Sequence, residues 1–206
     1  MEAFNKLGRD FMTYPTSKRG QLMFKLPLIL WRLGLGPLLG HYLLVITTKG
    51  RKSGLPRHTM TEFHTLNGKI YAPCAYGRKA QWYKNIAADP HVTVQTWQGA
   101  ERMIATRVTD DEELLAVLQL VTRNNPVMLG WYLDSLGISP ESEDIVAHKD
   151  RIYLIRFDPT DALTPVPLEV DLAWIWPVAM LVMLMLRRKH NPGNRSRYHN
   201  PTGRPE

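Results

Sequence analysis

Short runs of apolar or alternating residues, separated by turns rich in glycine, proline and asparagine, fill the middle of this chain. Runs of this kind predict β-strands where β-branched and aromatic residues are frequent. About six strands are predicted: Tyr42–Thr48, Arg57–Thr65, Lys69–Ala75, His91–Trp97, Glu101–Thr109 and Arg151–Phe157. Asn67-Gly68 indicates a tight hairpin, because both central positions of such a turn need positive φ. Strands in hairpin order predict an antiparallel barrel of the α+β class rather than a doubly wound sheet.

Helical patterns lie between and around these strands. Three helices are predicted inside the barrel region: Lys79–Ala88, Asp111–Thr122 and Val127–Leu136. Thr109-Asp110-Asp111-Glu112 supplies a capping box for the second of them. We therefore expect three parts: an N-terminal helical approach (1–40), a barrel domain (41–158), and a Pro-rich linker followed by an apolar helix and a basic tail (159–206).

Charge and cysteine content exclude several functions. The 206 residues have a formal net charge of +7, and most of this excess lies in residues 187–206. The barrel region is therefore nearly neutral and offers no broad surface for nucleic acid. The single cysteine, Cys74, excludes an internal disulfide and is expected to be a small buried residue rather than a nucleophile. Because no secretory signal is visible at the N-terminus, a reducing cytoplasm is the expected compartment.

The segment Leu172–Leu186 has no charged residue, and Arg187-Arg188-Lys189 follows it. A helix of this length reaches only ~22 Å, short of the ~30 Å hydrocarbon core of a bilayer. We expect peripheral contact with the inner face of the cell membrane through residues 172–189, with the cations at anionic headgroups. Packing on the barrel, or on a second copy of the chain in a homodimer, explains the pattern equally well.

Common nucleotide and zinc motifs are absent, since the sequence has no Gly-x-Gly-x-x-Gly, no P-loop and no His-Glu-x-x-His. His58, Glu62 and His64 alternate along one predicted strand and share a face. A metal site could be built there, but a solvated polar face is the better interpretation. We expect no metal.

The loop Lys49-Gly50-Arg51-Lys52-Ser53-Gly54 has the composition of an anion site. A glycine-rich turn after a strand exposes backbone N–H groups in a concave arrangement. Arg51 and Lys52 add positive charge, and Ser53 adds a hydroxyl donor. The alternative is a solvated basic turn.

A second Gly-Arg-Lys stands shortly before Trp82, Tyr83 and Asn85, which share one predicted short helix. A large aromatic residue with polar neighbours at a strand-to-helix junction is suited to cover a flat ring system. The alternative is that Trp82 and Ile86 only fasten the helix to the barrel.

Together the two elements, "TTKGRKSGLPR" and "WYKNIAADPHVTV", resemble the deazaflavin-dependent nitroreductase family, also called the F-420-dependent quinone reductases. The resemblance covers roughly residues 26–157. The matching residues are Thr48, Gly50, Arg51, Ser53, Gly54, Arg57, Trp82, Tyr83, Asn85, Ala88, Pro90 and Val92.

The resemblance implies a split β-barrel of the flavin-binding type that binds the deazaflavin coenzyme F-420 in preference to FMN. The phosphate and oligoglutamate tail of the coenzyme would meet the loop from Arg51 to Arg57. The residues that the resemblance places at the cofactor are Thr47, Thr48, Arg51, Lys52, Ser53, Gly54, Pro56, Arg57, Ala75, Tyr76, Trp82, Tyr83 and Asn85.

The resemblance also implies an enzyme that passes a hydride from the reduced coenzyme to a quinone, nitro compound or other unsaturated acceptor. Trp131 and Tyr132 are the expected catalytic residues across the acceptor pocket. Their surroundings, "NNPVMLGWYLDSL", are more apolar than in the nitroreductase of this family, which favours a quinone-like acceptor. The alternative is a non-enzymatic, membrane-associated barrel that binds a lipid or a tetrapyrrole.

Overall fold

The computed structural model of the chain describes residues 18–190. Its strands form one antiparallel sheet in the order β2-β1-β5-β6-β7-β4-β3. They are β1 Leu43–Lys49, β2 Pro56–Glu62, β3 His64–Leu66, β4 Lys69–Pro73, β5 His91–Thr96, β6 Gly99–Arg107 and β7 Leu154–Pro159.

The sheet is curled into a split barrel. Its two edges are β2 and β3, yet only Phe63 separates these strands along the chain. One residue spans at most ~3.6 Å, so the sheet has to bend until its edges meet. Within the described residues the sheet is not closed, because no ladder of hydrogen bonds joins β2 to β3. The predicted split antiparallel barrel of the α+β class is confirmed.

The described helices are α1 Lys18–Leu30, α2 Gly36–Leu39, α3 Gln81–Ile86, α4 Asp111–Asn124, α5 Pro126–Leu136, α6 Ser142–Ala147 and α7 Ile175–His190. A π-helical turn, Trp31–Leu35, connects α1 to α2. Asp110 caps α4, because its side chain accepts a hydrogen bond of 2.8 Å from the N–H of Glu113. The cap therefore lies one residue later than in the predicted capping box.

Two hydrophobic cores stabilise the fold. One fills the barrel and is formed by residues that alternate along the strands, including Leu44, Ile46, Val92, Val94, Ile155 and Phe157. The other lies between the sheet and helices α4–α6 and includes Tyr71, Leu114, Val117, Leu129, Tyr132, Leu133, Ile145 and Leu154. The helices thus cover only part of the outer face of the barrel.

A C-terminal strap (residues 160–171) covers another part of that face, over β5. The amide of Gln95 and the backbone of Leu168 exchange two hydrogen bonds, of 3.0 and 2.7 Å. Thr93 bonds the hydroxyl of Thr164 and the carbonyl of Pro165. The strap therefore holds the start of α7 against the body of the protein.

Contacts with the end of α1 fix that start. The guanidinium of Arg32 binds both carboxylate oxygens of Asp171, at 2.7 and 2.6 Å. Trp176 donates its indole N–H to the carbonyl of Leu33 at 2.7 Å. Beyond this anchor the large apolar side chains from Trp174 to Leu186 are each 37% to 62% exposed. Packing of α7 on the barrel is therefore not observed.

No helix in residues 18–190 is long and apolar enough to cross a membrane. The side chains of Arg187, Arg188 and Lys189, predicted to face headgroups, lie outside the part that the structure describes. Residues 1–17, predicted to be helical or irregular, also lie outside it.

The strands agree with the prediction to within about three residues at each end, except at one corner. Arg151, predicted to begin the last strand, lies in a 3₁₀ turn, Lys149–Arg151. The run predicted as a single strand, Arg57–Thr65, is divided at Phe63 into β2 and β3. The hairpin therefore consists of β3 and β4, and Asn67 and Gly68 adopt φ of 51° and 75° as the turn requires. The predicted helix Lys79–Ala88 is a 3₁₀ turn, Gly77–Lys79, followed by α3.

Candidate functional site

The first cationic loop (residues 50–55) links β1 to β2 and forms most of its own backbone hydrogen bonds. The N–H groups of Ser53 and Gly54 donate to the carbonyl of Gly50, at 3.1 and 2.7 Å. The N–H of Gly50 donates to Leu55, and that of Leu55 donates to the Ser53 hydroxyl. The predicted concave array of free N–H groups is therefore not what these residues form, because so short a turn uses its amides to close itself. Side chains have to supply the donors for an anion.

Asn85 joins this loop to α3. Its side chain is 4% exposed, and its carbonyl oxygen accepts a hydrogen bond of 3.0 Å from the Arg51 guanidinium. Its amide nitrogen donates to the Thr48 hydroxyl at 3.0 Å, and that hydroxyl donates to the carbonyl of Arg57. Arg57 in turn reaches the Ser53 hydroxyl at 3.4 Å. The structure thus brings together five of the predicted cofactor residues.

Gln81, one turn before Asn85 on the same side of α3, extends this network. Its carbonyl oxygen accepts from Arg51 at 3.0 Å, and its amide donates to the carbonyl of Lys79 at 3.5 Å. It thereby connects the first cationic loop to the second cationic loop (Gly77–Lys79). Gln81 was not predicted from the sequence, although its spacing of four residues from Asn85 places both on one helix face.

The cations of this region have no carboxylate partners among the described residues. All are exposed, and none forms an ion pair with a described Asp or Glu: Arg51, Lys52, Arg57, Arg78, Lys79 and Lys84. Nearby Asp89 contacts Lys49 and His91 instead, and its hydrogen bond with His91 lowers its pKa. Like charges held around one short helix repel each other, and a polyanionic ligand relieves that repulsion.

A second group of side chains surrounds Tyr153 on the other side of α3. The ring of Tyr83 meets the ring of Tyr153 edge-on, with centroids 4.8 Å apart. Arg78 donates to the Tyr153 hydroxyl at 2.6 Å, and the Arg107 guanidinium carbon lies 4.1 Å from the ring centroid. Gly77 is required here, because a Cβ at this position would stand 2.9 Å from the Tyr153 ring. No sequence pattern indicates a role for Tyr153, which lies just before a buried strand.

The other predicted cofactor residues are more dispersed. Lys52, Gly54 and Pro56 are exposed at or beside the loop tip. Tyr76 packs against the barrel core and Ala75 against the other core.

Thr47 and Trp82 do not face the cationic loop. Thr47 lies on the opposite side of β1 from Thr48, with its hydroxyl 3.0 Å from His58 Nδ1. Trp82 is 8% exposed and packs inside the barrel with Ile86, so it fastens α3 to the core. Its predicted place beside the coenzyme ring stays a prediction.

The predicted acceptor residues lie on α5. Trp131 is half-buried, whereas Tyr132 is 5% exposed within the core between the sheet and the helices. The Tyr132 hydroxyl accepts a hydrogen bond of 2.9 Å from the N–H of Tyr153. Burial raises the pKa of Tyr132 above its ordinary value. A catalytic role for either residue stays a prediction.

The outer groove, the described acidic and histidine side chains and Cys74 contribute nothing to this site. A groove of about 410 Å³ on the outer face is lined by Arg32, His58 and the strap, but Arg32 and Asp171 neutralise each other there. No group of three or more His, Cys, Asp or Glu in the described chain could hold a metal ion. Burial raises the pKa of Cys74 to about 12, so its thiol stays neutral and unreactive.

Residues 34–131 match the family model described as F-420H(2)-dependent quinone reductase. This match covers slightly less than half of the chain and supports the resemblance to that family. The matched residues include both cationic loops, α3 and Asn85, while β7 with Tyr153, the strap and α7 lie outside the match. The suspected resemblance is confirmed, and the chain is an F-420-dependent oxidoreductase.

Several solved structures are similar to this chain at low sequence identity. A putative pyridoxamine 5'-phosphate oxidase from Listeria innocua is 14% identical at a TM-score of 0.42, over 66% of this chain and 93% of that one. An F-420-H2 dependent reductase is 22% identical at a TM-score of 0.44, over 56% and 93%. HutZ, the heme storage protein from Vibrio cholerae, is 14% identical at a TM-score of 0.40, over 71% and 97%. The family assignment rests on the family match and not on these likenesses.

The residues present fit the coenzyme of the quinone reductase family. A ligand with a phosphate and several carboxylates needs concentrated positive charge without competing acidic side chains. The two cationic loops, held together by Asn85 and Gln81, supply such charge. Coenzyme F-420 is therefore the cofactor of this protein.

Proposed function

We propose that the protein reduces a quinone-like, apolar and unsaturated acceptor with electrons from reduced coenzyme F-420. The observation that carries this proposal is the hydrogen bond between Arg51 and Asn85, which assembles the two sequence motifs into one cationic site. When bound, the deazaflavin supplies a hydride, that is, two electrons and one proton. The protein contributes charge, orientation and a dry surface.

Arg51, Lys52, Arg57 and Ser53 are the residues that would hold the anionic part of the coenzyme. Their cationic and hydroxyl groups surround the exposed tip of the loop, and Asn85 holds the first of them in place. Thr48 supports this arrangement, because its hydroxyl accepts a hydrogen bond from the Asn85 amide and donates one to the carbonyl of Arg57. The coenzyme should therefore bind less tightly as ionic strength rises.

The deazaflavin ring and the acceptor fit the side of α3 that carries Tyr83 better than the side that carries Gln81 and Asn85. The rings of Tyr83 and Tyr153 meet there, and Gln81 and Asn85 face the opposite side. A helix is about 10 Å wide, which suits a long cofactor with its charged end on one side and its ring on the other.

Two measurements test the proposal. Fluorescence titration of F-420 into the full chain should give saturable binding that weakens with added salt. Mixing the protein and reduced F-420 with menadione should return the oxidised coenzyme faster than mixing with a nitroimidazole. Binding without oxidation by menadione would contradict the acceptor, and no binding would contradict the coenzyme site.

We further propose that the acceptor is taken from a membrane surface on which α7 lies. The apolar side chains of α7 are exposed around its circumference, and Leu22 and Leu26 of neighbouring α1 are 62% and 55% exposed. Trp174 and Trp176 stand at the start of α7, a position that suits the interfacial depth. The sequence places Arg187-Arg188-Lys189 at its other end, where they would meet anionic headgroups.

Flotation with anionic vesicles tests this attachment. Leu181→Asp with Leu184→Asp should remove the protein from the vesicle fraction, because charge at these exposed apolar positions opposes insertion. Leu163→Asp is the matched control, since Leu163 is 85% exposed on the strap away from α7. Equal flotation of all three proteins would contradict the proposal. A homodimer in light scattering that is lost only in the α7 variant would identify a second copy as the true partner.

A further inference from the structure

Tyr153 is a buried phenol whose own proton has no acceptor in the described structure. Its side chain is 6% exposed. Arginine keeps its proton in proteins, so in the 2.6 Å contact the Arg78 Nε–H donates and the Tyr153 oxygen accepts. No other hydrogen bond of the Tyr153 hydroxyl exists among residues 18–190. The hydroxyl hydrogen is therefore left for a ligand.

The surroundings of Tyr153 suit a proton donor. Arg78 stands beside the oxygen, and Arg107 stands over the ring. Arg107 is itself fixed, because one of its terminal nitrogens donates to the carbonyls of Lys149, Asp150 and Ile152. Two guanidinium groups thus face a phenol that would carry negative charge after its proton leaves. Arg78 is exposed, so this hydroxyl contacts a side chain that reaches solvent.

We propose that Tyr153 donates the proton that completes reduction of the acceptor, and that Arg78 is the positioning residue that holds it. This rests on the proposed function. The acceptor gains two electrons and one proton as a hydride, which leaves a negative charge on its oxygen. The O–H bond of Tyr153 then breaks and an O–H bond forms on the acceptor. The phenolate left between Arg78 and Arg107 is re-protonated by water.

Tyr132 is less suited to this step than Tyr153. Its hydroxyl accepts from a backbone N–H, and it is buried within the core that packs against helices α4–α6. The raised pKa of Tyr132 makes it a weaker acid. Tyr132 instead positions Tyr153, because it holds the backbone N–H of that residue.

The test removes the Tyr153 hydroxyl and measures the rate of acceptor reduction separately from coenzyme affinity. Tyr153→Phe should lower single-turnover oxidation of reduced F-420 by menadione by about 10²-fold, the usual contribution of general acid catalysis. F-420 affinity should stay within about twofold, because this hydroxyl bonds only Arg78 and makes no contact with the first cationic loop. Arg78→Met, at an exposed position that should fold, should lower the rate about tenfold.

A measurement on the coenzyme-free protein tests whether the Tyr153 hydroxyl donates a hydrogen bond to the acceptor. In infrared spectra of carbonyl-labelled menadione bound to the coenzyme-free protein, the C=O band should lie below its position in apolar solvent. Tyr153→Phe should abolish that shift. Tyr71→Phe is the matched control, because Tyr71 is 2% exposed and its hydroxyl donates to Glu113 at 2.7 Å, away from this site. The control should keep both the shift and the rate.

The outcomes separate this role from the proposed function. If the wild-type protein oxidises reduced F-420 and Tyr153→Phe does so at the same rate, or keeps the infrared shift, the role of Tyr153 is wrong and the proposed function stands. If the wild-type protein leaves reduced F-420 unoxidised by menadione, both are wrong. A rate lost in Tyr153→Phe and in Tyr71→Phe alike would also overturn the role, because it would reflect stability alone.

Discussion

Asn85 shapes the first cationic loop because its buried amide is satisfied only when Thr48 and Arg51 are both in place. Its carbonyl oxygen and its amide nitrogen each have one short hydrogen bond, of 3.0 Å. An unpaired buried amide costs about 1–3 kcal/mol, so the loop and α3 stabilise each other. At the scale of single residues, the cofactor site is therefore a cooperative network rather than a patch of independent charges.

Replacing Arg51 and Lys52 by Ala should weaken F-420 binding and leave the fold intact. Charge-assisted hydrogen bonds are worth ~1.5–3 kcal/mol, so each lost contact should reduce affinity about tenfold or more in a fluorescence titration. Lys69→Ala is the control, because Lys69 is an exposed cation on the β3–β4 hairpin. Identical titration curves for the double variant and the control would show that the loop does not hold the coenzyme.

Tyr132→Phe should lower stability. The variant leaves the buried N–H of Tyr153 without its acceptor, which should cost ~1–3 kcal/mol of unfolding free energy in denaturant titrations. The sequence predicts that the same change lowers turnover more than coenzyme affinity. If turnover per folded molecule is unchanged, Tyr132 is a structural residue; if it falls with unchanged stability, the hydroxyl acts on the acceptor.

Glu62 connects two elements at the corner where the barrel edges meet. Its carboxylate lies 3.4 Å from His64 Nε2, and both oxygens accept from the Asn125 amide, at 3.2 and 3.3 Å. Asn125 also caps α5, because its side chain accepts from the N–H of Met128. The contact with His64 is the main reason why the pKa of Glu62 is lowered.

This lowered pKa gives a pH-dependent prediction. A carboxylate whose pKa is lower in the folded protein stabilises it above the unfolded value, about 4.3, and loses that effect as pH falls through the folded value. Glu62→Gln should therefore cost roughly 1 kcal/mol at pH 7, and the two proteins should converge in urea titrations below about pH 4. A gap that stays constant down to pH 3 would show that the carboxylate charge is not involved.

The same corner shows what the sequence could reveal about elements. The hairpin turn at Asn67-Gly68 could be predicted because these two residue types favour positive φ wherever they occur. The break at Phe63 could not be predicted, because it arises from the curl of the whole sheet and not from the residues around it. Asn85 and Arg51 were predicted to share a site, but the burial of Trp82 and the contacts of Tyr153 depend on which side of α3 faces the barrel.

At the scale of the whole molecule, the contributions of the strap and of α7 to stability should be separable. Ending the chain after Thr160 removes the partners of Thr93 and Gln95, and the loss of these hydrogen bonds should lower the unfolding free energy by ~2–4 kcal/mol. Ending it after Ala173 keeps the strap and removes the exposed helix, so thermal unfolding should stay unchanged. Equal destabilisation in the two shortened proteins would mean that α7 itself contributes to the fold.

The single residue between β2 and β3 also has a kinetic consequence. The β1–β2, β3–β4 and β5–β6 pairs are hairpins between neighbours in sequence, and such hairpins form in about 1–10 μs. The remaining ladders join distant residues, as in Val45 with Gln95 and Ile70 with Phe157, and have to wait for long loops to close. Because only Phe63 separates β2 from β3, closing these long loops also brings the β1–β2 and β3–β4 hairpins together at one corner. Refolding should therefore slow when glycines are inserted after Phe63, while unfolding in denaturant changes little.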